Sequence, residues 1–384
     1  MTSSGRGLIR VAGVVNAHTH AAMTLFRGYA DDLPLMEWLE RHIWPAERRL
    51  DDEDVYWGTR LACVEMIRTG TVRFWDMYWH PGAAARAVRD AGLRAVIGAP
   101  LIDGGGPGSD EKLDTVRTEA ERSLEQLAET GERIAPSLAP HAIYTVSEPS
   151  LRWVAERAAR DELPVHIHLS ETEQEVTDCV AEHGVRPATY LDRCGLLGPR
   201  TLLAHGVWLD DTELDLIAER GATVVTNPVA NLKLAVGGVF PYPAAHARGI
   251  ALGLGTDGAG SNNSLDMFEQ MKFLALIQKH EAGDPTVAPA KEVWEVATGA
   301  RSALVGASGE LRTGEAADFL LLRGGAPELA LGEPTAELVY AASGASVVDT
   351  TVVAGRVLMQ GGQVGGMDEI RERVVEHAQR LGIS

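Results

Sequence analysis

The sequence predicts a (β/α)8 TIM barrel carrying a small β appendage. Three observations support this: eight short β-branched runs bounded by Gly, Pro or polar turns, a helical pattern after each run, and mostly short connections between them. A chain of 384 residues exceeds the ~150 of a typical domain, but barrels of this class routinely run longer than that as one unit.

The candidate strands are Val14–Asn16, Thr71–Trp75, Arg94–Ile102, Arg133–Ala139, Pro164–Leu169, Thr201–Ala204, Ala222–Thr226 and Ile250–Leu254. Helical patterns cover Asp51–Thr69, Pro81–Ala91, Asp110–Glu129, Glu148–Asp161, Thr172–His183, Asp211–Arg220, Pro241–Ala247 and Ser264–His280, with one more over Ala290–Leu304. Beyond that point Gly314–Leu322, Val347–Val353 and Arg356–Met359 read as antiparallel strands between Gly-rich turns. Asp368–Leu381 reads as an amphipathic helix with Ile370, Val374, Val375 and Leu381 on one face. The expected division is a barrel over residues 13–305 and an appendage made of 1–12 and 306–384. So few strands need a partner layer to bury their apolar face, and only about a dozen residues before the first barrel strand are at hand to help.

Composition narrows the function. Hydrophobic residues at 45% and charged residues at 23% are ordinary globular usage, which excludes disordered and fibrous classes. Lys and Arg number 35 against 54 Asp and Glu, a net charge of −19, so nucleic acid and anionic membrane surfaces are not expected partners. The three cysteines, Cys63, Cys179 and Cys194, form no CxxC pair, which fits a reducing, cytoplasmic setting and excludes a thiolate metal site. No apolar run of about 18 residues and no signal-peptide pattern occurs.

In such a barrel the chemistry sits at the carboxyl ends of the strands. Those ends carry His18-Thr19-His20, His166-Ile167-His168 followed by Ser170-Glu171, His205, and Thr256-Asp257. Residues two apart on a strand share a face, so His18 and His20 can chelate one ion while Thr19 faces away. His166 and His168 also share a face, but only His168 lies at the strand end. With His168 and Asp257 at equivalent positions, three imidazoles and a carboxylate describe one catalytic divalent ion, Zn²⁺ with Fe²⁺ as the alternative. Glu171 is placed to shuttle protons; its plain alternative is an acid favouring the dipole of the helix that follows. His205 either ligates the ion or acts as a donor toward the water. The fourth strand ends Ser137-Leu138-Ala139-Pro140-His141 without a lysine, so nothing can form the carbamylated bridge of two-metal sites.

The stretches VVNAHTHAAMTLFRGYADDLPLMEWLERHIWPAE, APHAIYTVS, PVHIHLSETEQEV, NLKLAVGG and LGTDGAGSNNSLDMFEQMK closely resemble the amidohydrolase superfamily. They are most similar to its branch of S-adenosylhomocysteine/5′-methylthioadenosine deaminases, beside the triazine chlorohydrolases and guanine deaminases. The resemblance covers nearly the whole chain from Gly13 onward. It implies metal ligation by His18, His20, His168 and Asp257, with proton handling by Glu171, His205 and Asp257. It also implies nucleoside contacts by Trp38, Glu47, His141 and Ser261, the Glu47 carboxylate bridging the ribose hydroxyls. A carboxylate suits a vicinal diol and an indole offers a flat apolar wall. Without the resemblance, Glu47 reads as a solvated helix acid beside Arg48 and Arg49, and Trp38 as core. The implied activity is hydrolytic deamination of an adenine nucleoside, such as S-adenosylhomocysteine, 5′-methylthioadenosine, 5′-deoxyadenosine or adenosine, to its inosine analogue with release of ammonia. The implied partner is that small molecule, with assembly into a homo-oligomer left open.

This branch carries a longer segment before the first barrel strand, which supplies half of a β-sandwich, so an incomplete β-sandwich is expected here. The loop Leu101–Asp110, with Lys112 and Arg117 beyond it, occupies the region where relatives bind the amino-acid tail of the larger substrate. The alternatives are an enzyme for another heterocycle and a non-catalytic homologue. Gly253-Leu254-Gly255-Thr256-Asp257-Gly258 matches GxGxxG, but in the last β-α unit rather than the first, which argues against a dinucleotide fold. Gly104–Gly108 lacks the Lys-Ser/Thr of a phosphate loop.

Overall fold

The computed structural model describes residues 2–3, 7–104, 113–306, 317–331 and 333–383. Strand β1 (Thr2–Ser3) and strand β2 (Leu8–Ala12) precede eight parallel strands. These are β3 (Val14–Thr19), β4 (Thr71–Met77), β5 (Arg94–Leu101), β6 (Ile134–Pro140), β7 (Val165–Leu169), β8 (Thr201–His205), β9 (Thr223–Thr226) and β10 (Ala251–Leu254), paired in chain order from β3 to β10. The expected (β/α)8 TIM barrel is thus formed. Several strands end a residue or more later than their β-branched runs, β3 reaching Thr19 and β8 reaching His205, because a polar strand end still completes the ladder when the barrel buries it.

Closure runs between β10 and β3. The Asn16 amide donates to Thr256 Oγ1 at 2.7 Å and Asn16 Oδ1 accepts from the Thr256 amide at 3.0 Å. The Asp257 amide then donates to His18 O at 3.0 Å. Val15, Ala17, Trp75, Leu202, Val225 and Val305 fill the barrel interior, all buried. Such filling makes the interior a packed plug with one polar mouth. Every residue of β3, β7, β8 and β9 is buried, as strands covered on both faces must be.

Helix boundaries follow local chemistry. Asp51 caps the helix Asp52–Arg68 in a reciprocal box with Asp54, and Asp210 and Glu213 do the same for Asp211–Arg220. The helix expected over Ala290–Leu304 stops at Ala297, and Gly299 at φ +74° turns the chain. The helix expected over Asp110–Glu129 runs from Leu113 to Ala128 among the described residues.

The appendage is a five-stranded antiparallel sheet ordered β1-β2-β11-β12-β13, with β11 Phe319–Arg323, β12 Val348–Val353 and β13 Arg356–Met359. Residues 314–316 of the first expected strand lie outside the described residues. The partner layer that the sequence lacked is the barrel itself. Thr351 Oγ1 donates to Ile67 O at 2.8 Å, and the Arg94 guanidinium meets Asp318 at 2.8 Å. The C-terminal helix Met367–Leu381 lies on Asp52–Arg68, with His377 Nδ1 2.7 Å from Asp54 Oδ1 and Arg380 on the same carboxylate. Ile370, Val374, Ala378 and Leu381 face inward, whereas Val375, expected on that face, is half exposed. It is one residue past Val374, about 100° around the helix.

The turn of helix Gly344–Val347, which leads into β12, packs tightly on the barrel: a Cβ at Gly344 would stand 2.7 Å from the Cα and O of Thr69. Backbone cannot swing aside as a side chain does. Gly344→Ala is therefore expected to cost about 1–3 kcal/mol in urea or thermal unfolding while leaving the metal content of the folded protein unchanged.

Candidate active site

At the barrel mouth the ends of β3, β7, β8 and β10 bring four side chains together. Ligand atoms of His18, His168, His205 and Asp257 all lie within 4.8 Å of one another, and all four residues are buried. His20 joins them, its Nε2 3.2 Å from Asp257 Oδ1 and 3.3 Å from His168 Nε2. His18 Nε2 is 3.3 Å from the same Asp257 oxygen.

Hydrogen bonds on the far side of each ring decide what faces the centre. His20 Nδ1 donates to Met77 O at 2.6 Å and His168 Nδ1 to His141 O at 2.8 Å. His205 Nδ1 donates to Asn231 Oδ1 at 2.8 Å, and His18 Nδ1 meets His166 Nε2 at 2.8 Å. A carbonyl only accepts, so each ring bonded to one keeps its proton on Nδ1 and turns a bare Nε2 lone pair inward. His18 Nε2 is buried without a hydrogen-bond partner. Lone pairs and a carboxylate facing one another in a dry pocket repel unless a cation lies between them, and nitrogen with carboxylate oxygen is the donor set of Zn²⁺. The residues present therefore fit a single divalent ion.

The electrostatics agree. Burial, with its imidazole neighbours, holds His168 well below its ordinary value, and burial lowers His18 to about 4, so both stay neutral. Burial also opposes charge on His20, but contact with Asp257 outweighs it and lifts His20 to about 9: a proton between its Nε2 and Asp257 stands in for the cation and is the one that a bound ion displaces. Asp257 itself resists the upward pull of burial through His18 and His20 and lies well below the carboxylate range. Asp257 thus draws positive charge into the cluster.

Sharp backbone turns aim these groups. Ser170, His205 and Asp257 take φ of +50°, +77° and +63°, conformations that L residues adopt at a cost and that cluster at functional sites. Glu171 follows Ser170, and its Oε1 is 3.7 Å from His205 Nδ1. Burial raises its carboxyl above the ordinary value and so favours the protonated acid.

The cluster floors a cavity of about 770 Å³, open mouth included, whose lining includes Trp38, Glu47, His141, Tyr144, Glu171 and Ser261. Trp38 and Glu47 are nine residues apart, about 180° around a regular helix. Leu39–Ile43 forms a π-turn between the helical pieces Leu35–Trp38 and Trp44–Glu47. Pro45 has no N–H to offer the Arg41 carbonyl, which breaks the regular ladder there. The extra residue in the turn reduces the angle to about 80°, so both side chains reach the same cavity. Glu47 is not the solvated acid of the plain reading: Tyr78 Oη donates to its Oε1 at 2.7 Å and Trp79 Nε1 to its Oε2 at 3.3 Å. Burial raises its carboxyl.

Every site residue named from the sequence lies at this mouth or in this cavity. Ser261 lines it, but its hydroxyl donates to Asp257 Oδ2 at 2.7 Å. His141 lines it with Nδ1 2.8 Å from Thr145 Oγ1. Of the loop cations, Lys112 and residues 105–112 lie outside the described residues, and Arg117 donates to Pro149 O and stacks over Trp153. The GxGxxG string runs through β10 into Asp257, and Gly255 lets it approach His18, where a Cβ would stand 2.8 Å from the His18 Cβ. Sequence reasoning missed Tyr78, Trp79, Tyr144 and Asn231. The strand-end rule reaches Tyr78 and Trp79, directly after β4, while nothing local marks Asn231 as the partner of His205.

Comparison with known proteins follows the same lines. The pattern of the amidohydrolase family matches residues 9–358. The chain is 47% identical to 5′-deoxyadenosine deaminase of Methanoregula boonei, covering 98% of this chain and 85% of that one. It is 44% identical to 5-methylthioadenosine/S-adenosylhomocysteine deaminase 1 of Archaeoglobus fulgidus, covering 97% and 88%. A zinc-bound crystal structure of an adenosine deaminase from Xanthomonas campestris superposes with a TM-score of 0.92 at 36% identity over 98% of this chain and 87% of that one. A metal-ligand mouth on a (β/α)8 barrel and a family pattern that spans nearly the whole chain lead to one conclusion: the protein belongs to the amidohydrolase family.

Proposed function

We propose that this protein is a metal-dependent aminohydrolase that converts an adenine nucleoside to its inosine analogue and ammonia. One observation carries the reading: inward lone pairs and Asp257 share a cavity with a buried, acid-favouring Glu171 and, on the cavity wall, a carboxylate braced by Tyr78 and Trp79. Relatives named for 5′-deoxyadenosine and 5′-methylthioadenosine/S-adenosylhomocysteine support the adenine nucleoside class.

His18, His20, His168 and Asp257 would hold the ion, with His205 facing the same point. Bound there, a divalent ion lowers the pKa of a water toward about 7 and so supplies a nucleophile at neutral pH. Asp257 accepts the proton of the attacking water. His205, its Nδ1–H committed to Asn231, presents a lone pair that orients the water by accepting from it. The sequence left two roles open for it, ligand or donor, and this reading differs from the second. Glu171, as the acid, protonates N1 of the purine while the water oxygen bonds to C6; the proton taken by Asp257 then passes to N6, the C6–N6 bond breaks to release ammonia, and the C6 hydroxyl returns its proton to Glu171 as the carbonyl forms. Glu47 keeps free lone pairs beyond those used by Tyr78 and Trp79, enough to accept from both ribose hydroxyls. Trp38 walls the cavity beside it, and His141 and Ser261 complete the nucleoside contacts.

Three outcomes are expected. Chelation abolishes ammonia release from adenosine, 5′-deoxyadenosine and 5′-methylthioadenosine, and one equivalent of Zn²⁺ restores it; turnover that survives complete metal removal refutes the proposal. Glu171→Gln lowers kcat by about 10²- to 10⁴-fold with metal content intact, checked by steady-state deamination and elemental analysis. Glu47→Gln raises KM about tenfold or more for nucleosides but leaves free adenine nearly unaffected, since only the ribose hydroxyls lose a charged acceptor; equal effects on both would remove Glu47 from the ribose.

A further inference from the structure

Among the described residues no hydrogen bond holds the Glu171 carboxyl, whose contact with His205 at 3.7 Å is too long for one. Its position is therefore set by its main chain. That main chain is gripped by one side chain. Glu175 Oε1 accepts from the Ser170 amide and Oε2 from the Glu171 amide, each at 2.8 Å, with Glu175 buried. The surrounding sequence, Thr172-Glu173-Gln174-Glu175, has the spacing of a capping box, and Thr172 Oγ1 accepts from the Glu175 amide at 3.2 Å. In an ordinary box the acid at this position reaches back to the amide of the capping residue. Here it passes Thr172 and takes the two preceding amides instead. Ser170 is the residue at φ +50°, a conformation that persists only where its surroundings enforce it.

We propose that Glu175 is a positioning residue for the reaction, its carboxylate clamping the Ser170 and Glu171 amides so that the Glu171 carboxyl points into the cavity. The proposal rests on the deaminase reading of Glu171. Both carboxylate oxygens accept, matching two amide donors; a glutamine would turn an NH2 toward one of them. The two peptide groups that Glu175 clamps are held at their carbonyl ends, Leu169 O and Ser170 O, by the amides of Gly206 and Trp208, so a lost clamp lets them tilt about those carbonyls and redirects the Glu171 side chain without releasing the chain.

The test is a double-mutant cycle on the zinc-loaded full chain with 5′-deoxyadenosine and adenosine. Glu175→Gln is expected to lower kcat about 100-fold, the scale of loss from a displacement of about 1 Å, with KM within about threefold and the zinc stoichiometry of the parent. Glu171→Gln/Glu175→Gln is expected to be no slower than Glu171→Gln alone, because a residue that acts only through Glu171 has nothing further to remove. Losses that multiply, or a kcat for Glu175→Gln within threefold of the parent, overturn the proposal. Should Glu175→Gln not fold, Glu175→Asp carries the test: it keeps the charge but is one methylene too short for both amides, and parental kcat in that variant overturns the clamp. A parent that deaminates neither nucleoside refutes the deaminase reading, whereas an active parent with an indifferent Glu175 refutes only this inference.

Discussion

Bare nitrogen lone pairs and an ionised carboxylate turned toward one point, away from water, form the constraint on which the rest of the structure depends. Such a cluster is unfavourable by itself and favourable around a cation, so the surrounding chain works to hold it open to one. Backbone carbonyls of Met77 and His141, the Asn231 amide oxygen and the His166 ring each fix the outer nitrogen of one imidazole. Removing one of these partners frees a ring to change tautomer, which would present a proton where a lone pair is required. The outer partners are therefore as much a part of the site as the ligands.

Rigidity of the barrel makes this arrangement possible. Parallel strands buried on both faces, an interior plugged by Trp75 and its neighbours, and a seam closed by Asn16 and Thr256 fix the strand ends relative to one another. The strain then falls at the mouth, at Ser170, His205 and Asp257, where the backbone enters left-handed conformations just past the strands. Part of the cavity wall comes instead from the broken helix Leu35–Glu47, whose π-turn brings Trp38 and Glu47 to one side. The proposed function thus places its chemistry on the strands and its recognition on a helix with an irregular turn.

The barrel strands were legible because each is a short β-branched run with polar punctuation, and the metal residues because histidines two apart on a strand must share a face. The appendage was less legible. Its strands β11, β12 and β13 showed in the pattern, but its covering layer did not, since Ile67, Thr69 and Gly70 of a barrel helix and turn gave no local sign of packing against a sheet far along the chain. Val375 failed for a simpler reason: at the edge of an apolar stripe, one step around the helix decides between core and solvent.

By itself the sequence determined the order of strands and helices, the acidic character of the protein and the residue types at the strand ends, because these depend on periodicity and composition within a few residues. Tertiary structure alone decided which nitrogen of each histidine faces inward, that Glu47 is braced by Tyr78 and Trp79 rather than solvated, and that Glu175 grips the turn bearing Glu171. Those outcomes depend on hydrogen bonds whose two ends come together only when strands, loops and a broken helix meet at one mouth, and periodicity along the chain carries no record of them.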